Sequence, residues 1–250
     1  IIFKNCNTLI IGHLFDNICV ISSKLISYNN LIILDDGVSS LAIKDKIFFN
    51  KSPYDDFLGL KQEIFDFFFK SPKKFSLFTI FHDHIELNDN VKVIPNNFNF
   101  LTSNIEFEKN DCLVYFIGTP VVEDGLVSKT NFNNFLKKFK ENNIIYFPHR
   151  REKIENLKFL ESLGIQLCFS EIPFELFLLE SKKLPSKIIS FSSSVLFTSR
   201  LILKNNFNKV DFYYIELNDF VTEKKIDDHL IKIQDFYKTL GYNKIIFDAK

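Results

Sequence analysis

The sequence holds no tryptophan and no methionine, not even at position 1, and only 7 glycines and 7 prolines in 250 residues. A chain without a starting Met is expected to be trimmed at its N-terminus or to be a piece of a longer protein. Net charge is missing too, since 31 Lys and Arg balance 31 Asp and Glu. A nucleic-acid binder carries a basic excess, so no nucleic-acid partner is expected; basic spots such as residues 149–152 (HRRE) stay local. No run of about 18 uncharged apolar residues occurs, which argues against a transmembrane helix, and no signal-peptide pattern opens the chain. Cysteine is sparse, with Cys6, Cys19, Cys112 and Cys168 far apart in apolar runs and no CxxC or zinc spacing. These four read as reduced, buried thiols of a cytosolic protein.

What is present suits a globular protein with a real core: 46% hydrophobic and 25% charged residues. Phe is in excess, with 31 copies against 8 Tyr. Together with frequent Ile, Asn and Lys, this is the codon usage of an AT-rich genome before it is a functional signal.

Strand-like and helix-like stretches alternate. Residues 8–12 (TLIIG) read as a buried strand, 13–28 as a helix, 31–34 (LIIL) as a second strand, and 57–69 as a helix. Residues 75–81 and 91–94 are further strands. A fresh unit begins near residue 111, with a strand over 112–118, a helix over 131–141 capped by Thr130 or Asn131, and a strand over 144–148. A helix from Glu152 to a stop at Gly164 comes next. Then come a strand over 165–169, a helix over 173–180, a strand over 187–191, a helix over 195–204, a strand over 210–217 and a helix over 226–240. Near-continuous apolar strands alternating with helices predict α/β architecture with parallel sheets covered on both faces. The boundary is drawn between residues 1–105, which look like the later half of a Rossmann-like domain, and 106–250, which look like a complete one.

Ligands of open α/β sheets bind at the carboxyl ends of strands. Four polar clusters fall there. In Asp35-Asp36-Gly37, Gly allows a tight turn and a carboxylate could serve as general base, although such tripeptides are also common as solvated turns. Gly118-Thr119-Pro120 comes after a strand but is too short for a phosphate loop. His149, after Pro148, stands at a strand end with Arg150 and Arg151; with a helix start it suits a departing phosphate, or it is a packed His beside two exposed Arg. Ser192-Ser193-Ser194 either holds a phosphate or caps a helix. His82 and His84 resemble a metal pair, but nothing nearby supports it, and a loop is the expectation. No metal site is expected.

The order strand–DDG, strand–GTP, strand–PH, strand–SSS resembles the bacterial sialyltransferases and polysialyltransferases of the GT-B type, including the lipooligosaccharide sialyltransferases. Their acidic-acidic-Gly, His-Pro and Ser-Ser/Thr motifs correspond to Asp35-Asp36-Gly37, His149 and Ser192-Ser193-Ser194, over residues 8–220. Arg150 stands where the family has Pro. The resemblance implies a GT-B fold, two Rossmann-like domains facing a cleft, the N-terminal one partial. It implies transfer of sialic acid or a related nonulosonic acid from a CMP-activated sugar to a glycan or glycolipid acceptor such as lipooligosaccharide or capsule, without metal or cofactor. Asp35 becomes the general base with Asp36 beside it. His149, Ser193 and Ser194 hold the phosphate, Gly118 and Pro120 meet the nucleotide, and Glu175 binds the ribose. The implied setting is the cytoplasm, where a lipid acceptor would draw the enzyme to the inner membrane without an anchor in this chain. Two other readings remain: transfer of another CMP-sugar (legionaminic acid, pseudaminic acid or Kdo), and a non-catalytic scaffold of envelope-glycan assembly.

Overall fold

A computed structural model describes residues 6–12, 17–35, 37, 41, 75–85, 91–102, 105–138, 143–217 and 228–247. The chain divides into two units, Ile1–Asn97 and Phe98–Lys250. The helix expected over 57–69 lies outside the described residues.

In the first unit, β1 (Cys6–Ile11), β2 (Tyr28–Leu34), β3 (Phe75–Thr79) and β4 (Val91–Pro95) form a parallel sheet in sequential order, with α1 (Asn17–Leu25) between β1 and β2. Leu31 and Ile33 alternate into a small core with Ile11, Phe75, Leu77 and Val91, as the two-residue period of a strand requires. The burial expected of β1 is incomplete: it pairs only with β2 among the described strands, and Ile10 is 58% exposed.

The second unit opens with α2 (Asn99–Thr102), then β5 (Glu108–Ile117), α3 (Lys129–Lys138), β6 (Ile144–Phe147), α4 (Ile154–Ser162), β7 (Gln166–Leu167) and α5 (Phe174–Ser181). It continues with β8 (Lys183–Ser190), α6 (Val195–Leu203), a 3-10 turn (Lys204–Lys209), β9 (Asp211–Glu216), α7 (Asp228–Thr239) and β10 (Asn243–Ile246). Its six strands run parallel in the order β10-β9-β8-β5-β6-β7. From β5 the chain winds outward through β6 to β7, then returns to the other side of β5 and winds outward again through β9 to β10. The winding direction therefore reverses between β5 and β8, the topological switch point of a doubly wound sheet.

Both faces of this sheet are covered. Val114 and Phe116 of β5 pack on one side with Phe132, Leu136 and Leu157 from α3 and α4. The alternate residue Tyr115 meets Phe147, Phe174 and Phe177 edge-on, with centroids 5.2, 5.7 and 6.0 Å apart. Whatever set its abundance, Phe is the filler of this core, and each such ring pair adds roughly 0.5–1.5 kcal/mol beyond area burial.

Several boundaries differ from the sequence reading, each for a local reason. α3 is capped by Ser128, whose hydroxyl accepts the Asn131 N–H at 3.1 Å, so the helix starts before Thr130 and Asn131. β8 begins at Lys183 although Pro185 lies within it; Pro185 pairs with Asn110 next to a register shift between Asn110 and Val114, the kind of irregularity at which a strand proline is found. β5 correspondingly starts at Glu108, through an exposed polar half. The thiols are free, as expected, but not buried: Cys112 lies in that exposed half and the other three are half-buried. Among the described residues, no helix is long and apolar enough to cross a membrane.

Candidate functional site

The carboxyl ends of β5 and β8 lie side by side at the switch point, and two of the polar clusters are their continuations. Ser190 fastens the strands by donating its hydroxyl to the Ile117 carbonyl at 2.9 Å. Gly118 donates its N–H to the Phe147 carbonyl at 2.8 Å. A Cβ on Gly118 would stand 2.1 Å from Glu152 Oε2, 2.9 Å from the Tyr146 hydroxyl and 3.0 Å from the Phe147 carbonyl. Glycine is required here by close approach. Pro120 is buried, and its carbonyl accepts the Asp124 N–H.

Two hydroxyls at this point, Thr119 Oγ1 and Ser192 Oγ, are buried without a hydrogen-bond partner among the described residues. An unmet buried hydroxyl is costly, on the order of 1–3 kcal/mol, and these two continue neighbouring strand ends. The serine run divides its roles. Ser193 Oγ accepts the Val195 N–H at 3.3 Å, a weak local cap. Ser194 occupies the N-cap position of α6 but makes no side-chain cap bond. Tyr237 holds the run in place by donating to the Ser193 carbonyl at 2.5 Å.

His149 lies beyond the end of β6, next to β5 in the sheet. Its Nδ1 accepts the Arg151 N–H at 3.2 Å, so the neutral ring carries its proton on Nε2. Partial burial lowers its pKa first, the Arg151 and Arg150 charges lower it further, and Asp124 and Glu123 oppose them weakly. The imidazole is therefore neutral at pH 7, and an arriving anion would raise its pKa. Arg151 is committed elsewhere, in a two-pronged pair with Asp124 at 2.7 and 3.0 Å; Arg150 is exposed.

The helix after His149 starts at Ile154, not near Glu152. Its N-cap residue Lys153 offers no side-chain cap. Glu123, from the loop after β5, takes over by accepting the Lys153 N–H at 2.9 Å and the Asn156 amide at 2.8 Å. Glu152 instead turns inward. Its Oε1 accepts the Tyr146 hydroxyl at 2.7 Å and its Oε2 the His149 backbone N–H at 2.6 Å. Burial pushes its carboxyl up to about 7 against those two hydrogen bonds, with Glu123 adding to the rise. Sequence reasoning places Glu152 at a helix start and assigns it no further role. The His-x-x-Glu spacing was the available signal, because an acid three residues on can reach back to a backbone N–H as in a capping box.

Glu175, in the first turn of α5, accepts the Thr198 hydroxyl at 2.7 Å. Thr198 also donates to the Ser194 carbonyl at 3.3 Å, so Glu175 is held next to the serine run. The second unit thus gathers Gly118, Thr119, Pro120, His149, Arg150, Glu175, Ser192, Ser193 and Ser194 at one end of its sheet.

In the first unit, Asp35 comes directly after β2, with its N–H on the Phe78 carbonyl and its Oδ2 accepting the Ile80 N–H. Asp36 lies outside the described residues. Gly37 has φ +58°, a left-handed conformation that favours glycine. Residues 82–84 lie in a turn after β3, where His82 Nε2 sits 3.3 Å from Asp83. No cluster of metal-ligating side chains is found among the described residues.

No family model matches the sequence, and no curated protein does. Among solved structures, the chain is similar to a 2,6-sialyltransferase of Photobacterium sp. JT-ISH-224 in a ternary complex with the donor product CMP and the acceptor substrate lactose. That likeness has a TM-score of 0.52 at 12% identity, over 98% of this chain and 63% of that one. It is also similar to a UDP-glucosyltransferase of Polygonum tinctorium capable of glucosylating indoxyl, at TM-score 0.45 and 11% identity, over 93% of this chain and 60% of that one. The chain spans less than two thirds of the length of either. The first likeness establishes the fold: Rossmann-like units of the GT-B class.

Proposed function

We propose that this chain acts in glycosyl transfer, moving sialic acid, or a related nonulosonic acid, from a CMP-activated donor to a glycan or glycolipid acceptor. The observation that carries the reading is the pair of unmet hydroxyls, Thr119 Oγ1 and Ser192 Oγ, at the switch point. Arg150 and the imidazole of His149 stand on the adjacent strand end. This donor set suits a phosphate that gains charge as it leaves. The fold likeness to a sialyltransferase seen with CMP and lactose supports the same choice.

In this reading the bond from the anomeric carbon to the CMP phosphate oxygen breaks, and its electron pair stays with the phosphate. His149 Nε2–H, Thr119 and the serines stabilise that oxygen. The acceptor hydroxyl forms the new bond to the anomeric carbon, and Asp35, whose neighbour in sequence is Asp36, takes the hydroxyl proton, with Gly37 also at the acceptor site. Glu175 holds the ribose, while Gly118 and Pro120 shape the floor beneath the nucleotide. Neutral donors and Arg150 meet the leaving charge, so the step uses no metal ion or cofactor. The enzyme works in the cytoplasm, drawn to the inner membrane face by a lipid-borne acceptor.

Titration calorimetry with CMP tests this. Wild type should bind, and His149→Ala should bind more weakly by about 1.5–3 kcal/mol, the value of a hydrogen bond to a charged group. If neither binds CMP, the transferase reading fails and a non-catalytic scaffold of envelope-glycan assembly takes its place. A donor panel of CMP-activated sialic, legionaminic and pseudaminic acids and Kdo then identifies the sugar.

A further inference from the structure

We propose that Glu152 is a positioning residue that sets the orientation and tautomer of His149, gripping the His149 backbone N–H from a seat wedged against Gly118 and Tyr146. The inference deepens the phosphate-site reading above and rests on it for the role of His149.

The geometry is a three-way lock. Oε2 takes the His149 N–H at 2.6 Å, Oε1 takes the Tyr146 hydroxyl at 2.7 Å, and no side chain fits on Gly118 because Oε2 is already there. Two points of one strand end, Tyr146 in β6 and His149 just beyond it, are joined through one carboxylate that packs against Gly118 at the end of β5. A surface acid would not be desolvated so far, and its near-neutral titration is the cost of the position. The lock fixes the turn 149–152, which is closed by the Glu152 N–H on the His149 carbonyl at 2.9 Å. That turn brings the Arg151 N–H onto His149 Nδ1 at 3.2 Å and so leaves the proton on Nε2. An imidazole with its proton on Nδ1 would present a lone pair, not a donor, at Nε2.

The test uses Glu152→Gln and Glu152→Ala. Nitrogen-15 spectra at pH 8 report the His149 tautomer, and calorimetry reports CMP affinity. Wild type should show the Nε2–H tautomer alone. Gln keeps an oxygen for the His149 N–H, so Glu152→Gln should keep that tautomer and bind CMP within about threefold of wild type. Glu152→Ala should show mixed tautomers, as in a free imidazole, and bind CMP at least tenfold more weakly. The proposal is overturned if folded Glu152→Ala keeps a single Nε2–H tautomer, or if Glu152→Gln loses it. Should Glu152→Ala not fold, the Gln variant alone decides. If wild type binds no CMP but the tautomer shows the expected pattern, the positioning role stands and the transferase reading fails.

Discussion

Arg151 and Asp124 form a two-pronged ion pair, with guanidinium nitrogens 2.7 and 3.0 Å from the two carboxylate oxygens. The pair ties the loop after β5 to the loop after β6, beside the capping of α4 by Glu123. It also separates two neighbouring arginines that look alike in sequence. Arg151 spends its charge on the protein, and Arg150 is the one left exposed beside His149.

That separation predicts unequal effects on nucleotide binding. Arg150→Ala should weaken CMP binding about tenfold, with a shallower dependence on salt, as for a lost charge-assisted contact to phosphate. Arg151→Ala should stay within about threefold of wild type. Because the Arg151 and Asp124 side chains are 57% and 37% exposed, it should cost no more than about 1 kcal/mol of stability. Calorimetry at two salt concentrations, with a denaturant titration, checks both. Equal losses for the two variants would refute the distinction.

The unmet hydroxyls predict a trade between stability and binding. Thr119→Val and Ser192→Ala each remove a buried group that has no hydrogen-bond partner among the described residues. Each should leave the unfolding free energy unchanged or raise it by up to about 1 kcal/mol, while weakening CMP binding about tenfold. A variant that loses stability and keeps its affinity would show that the hydroxyl serves the fold.

Acid and base titration should pull stability in opposite directions around this site. Glu152 titrates at about 7 in the folded chain against 4.5 in the reference state. It binds a proton when folded and not when unfolded across that window. Its contribution is therefore fully present below pH 4.5 and lost as the pH rises to about 7, on the order of 3 kcal/mol. His149 shifts the other way, its pKa lowered by burial and by Arg151 and Arg150. Its contribution is present above 6.5 and lost as the pH falls through the depressed value. Unfolding midpoints from pH 4 to 8 should show Glu152→Gln losing the first slope and His149→Ala the second. Parallel curves for wild type and Glu152→Gln would remove Glu152 as a neutral-range titrating group.

Much of the fold was legible because each signal was local. The apolar runs 31–34, 112–118 and 144–148 fall on strands β2, β5 and β6, since the stretch of a strand that is covered on both faces is apolar. The serine run before α6 and the Asp-Asp-Gly run after β2 were visible as punctuation, and Gly37, read as permitting a tight turn, has φ +58°. The start of β8 was not legible, because Pro185 reads as a breaker unless the bulge in β5 opposite it is known. The cap of α3 falls two residues earlier than its sequence suggests for a smaller reason: Ser128 and Thr130 are equally plausible caps until the backbone chooses between them.

The candidate site divides along the same line. Residue types and their spacing along the chain determined where polar clusters come after strands, and so which residues stand at the carboxyl ends. Pairing of β5 with β8, distant in sequence, is what sets Thr119 beside Ser192, and only the sheet order decides it. Glu152 is the clearest case. Its sequence position marks a helix start, whereas in the fold it is a desolvated carboxylate shared by Tyr146, His149 and Gly118. Charge state and hydrogen-bond partners depend on which groups surround a side chain in three dimensions, and that neighbourhood is assembled by long-range packing that no local pattern contains.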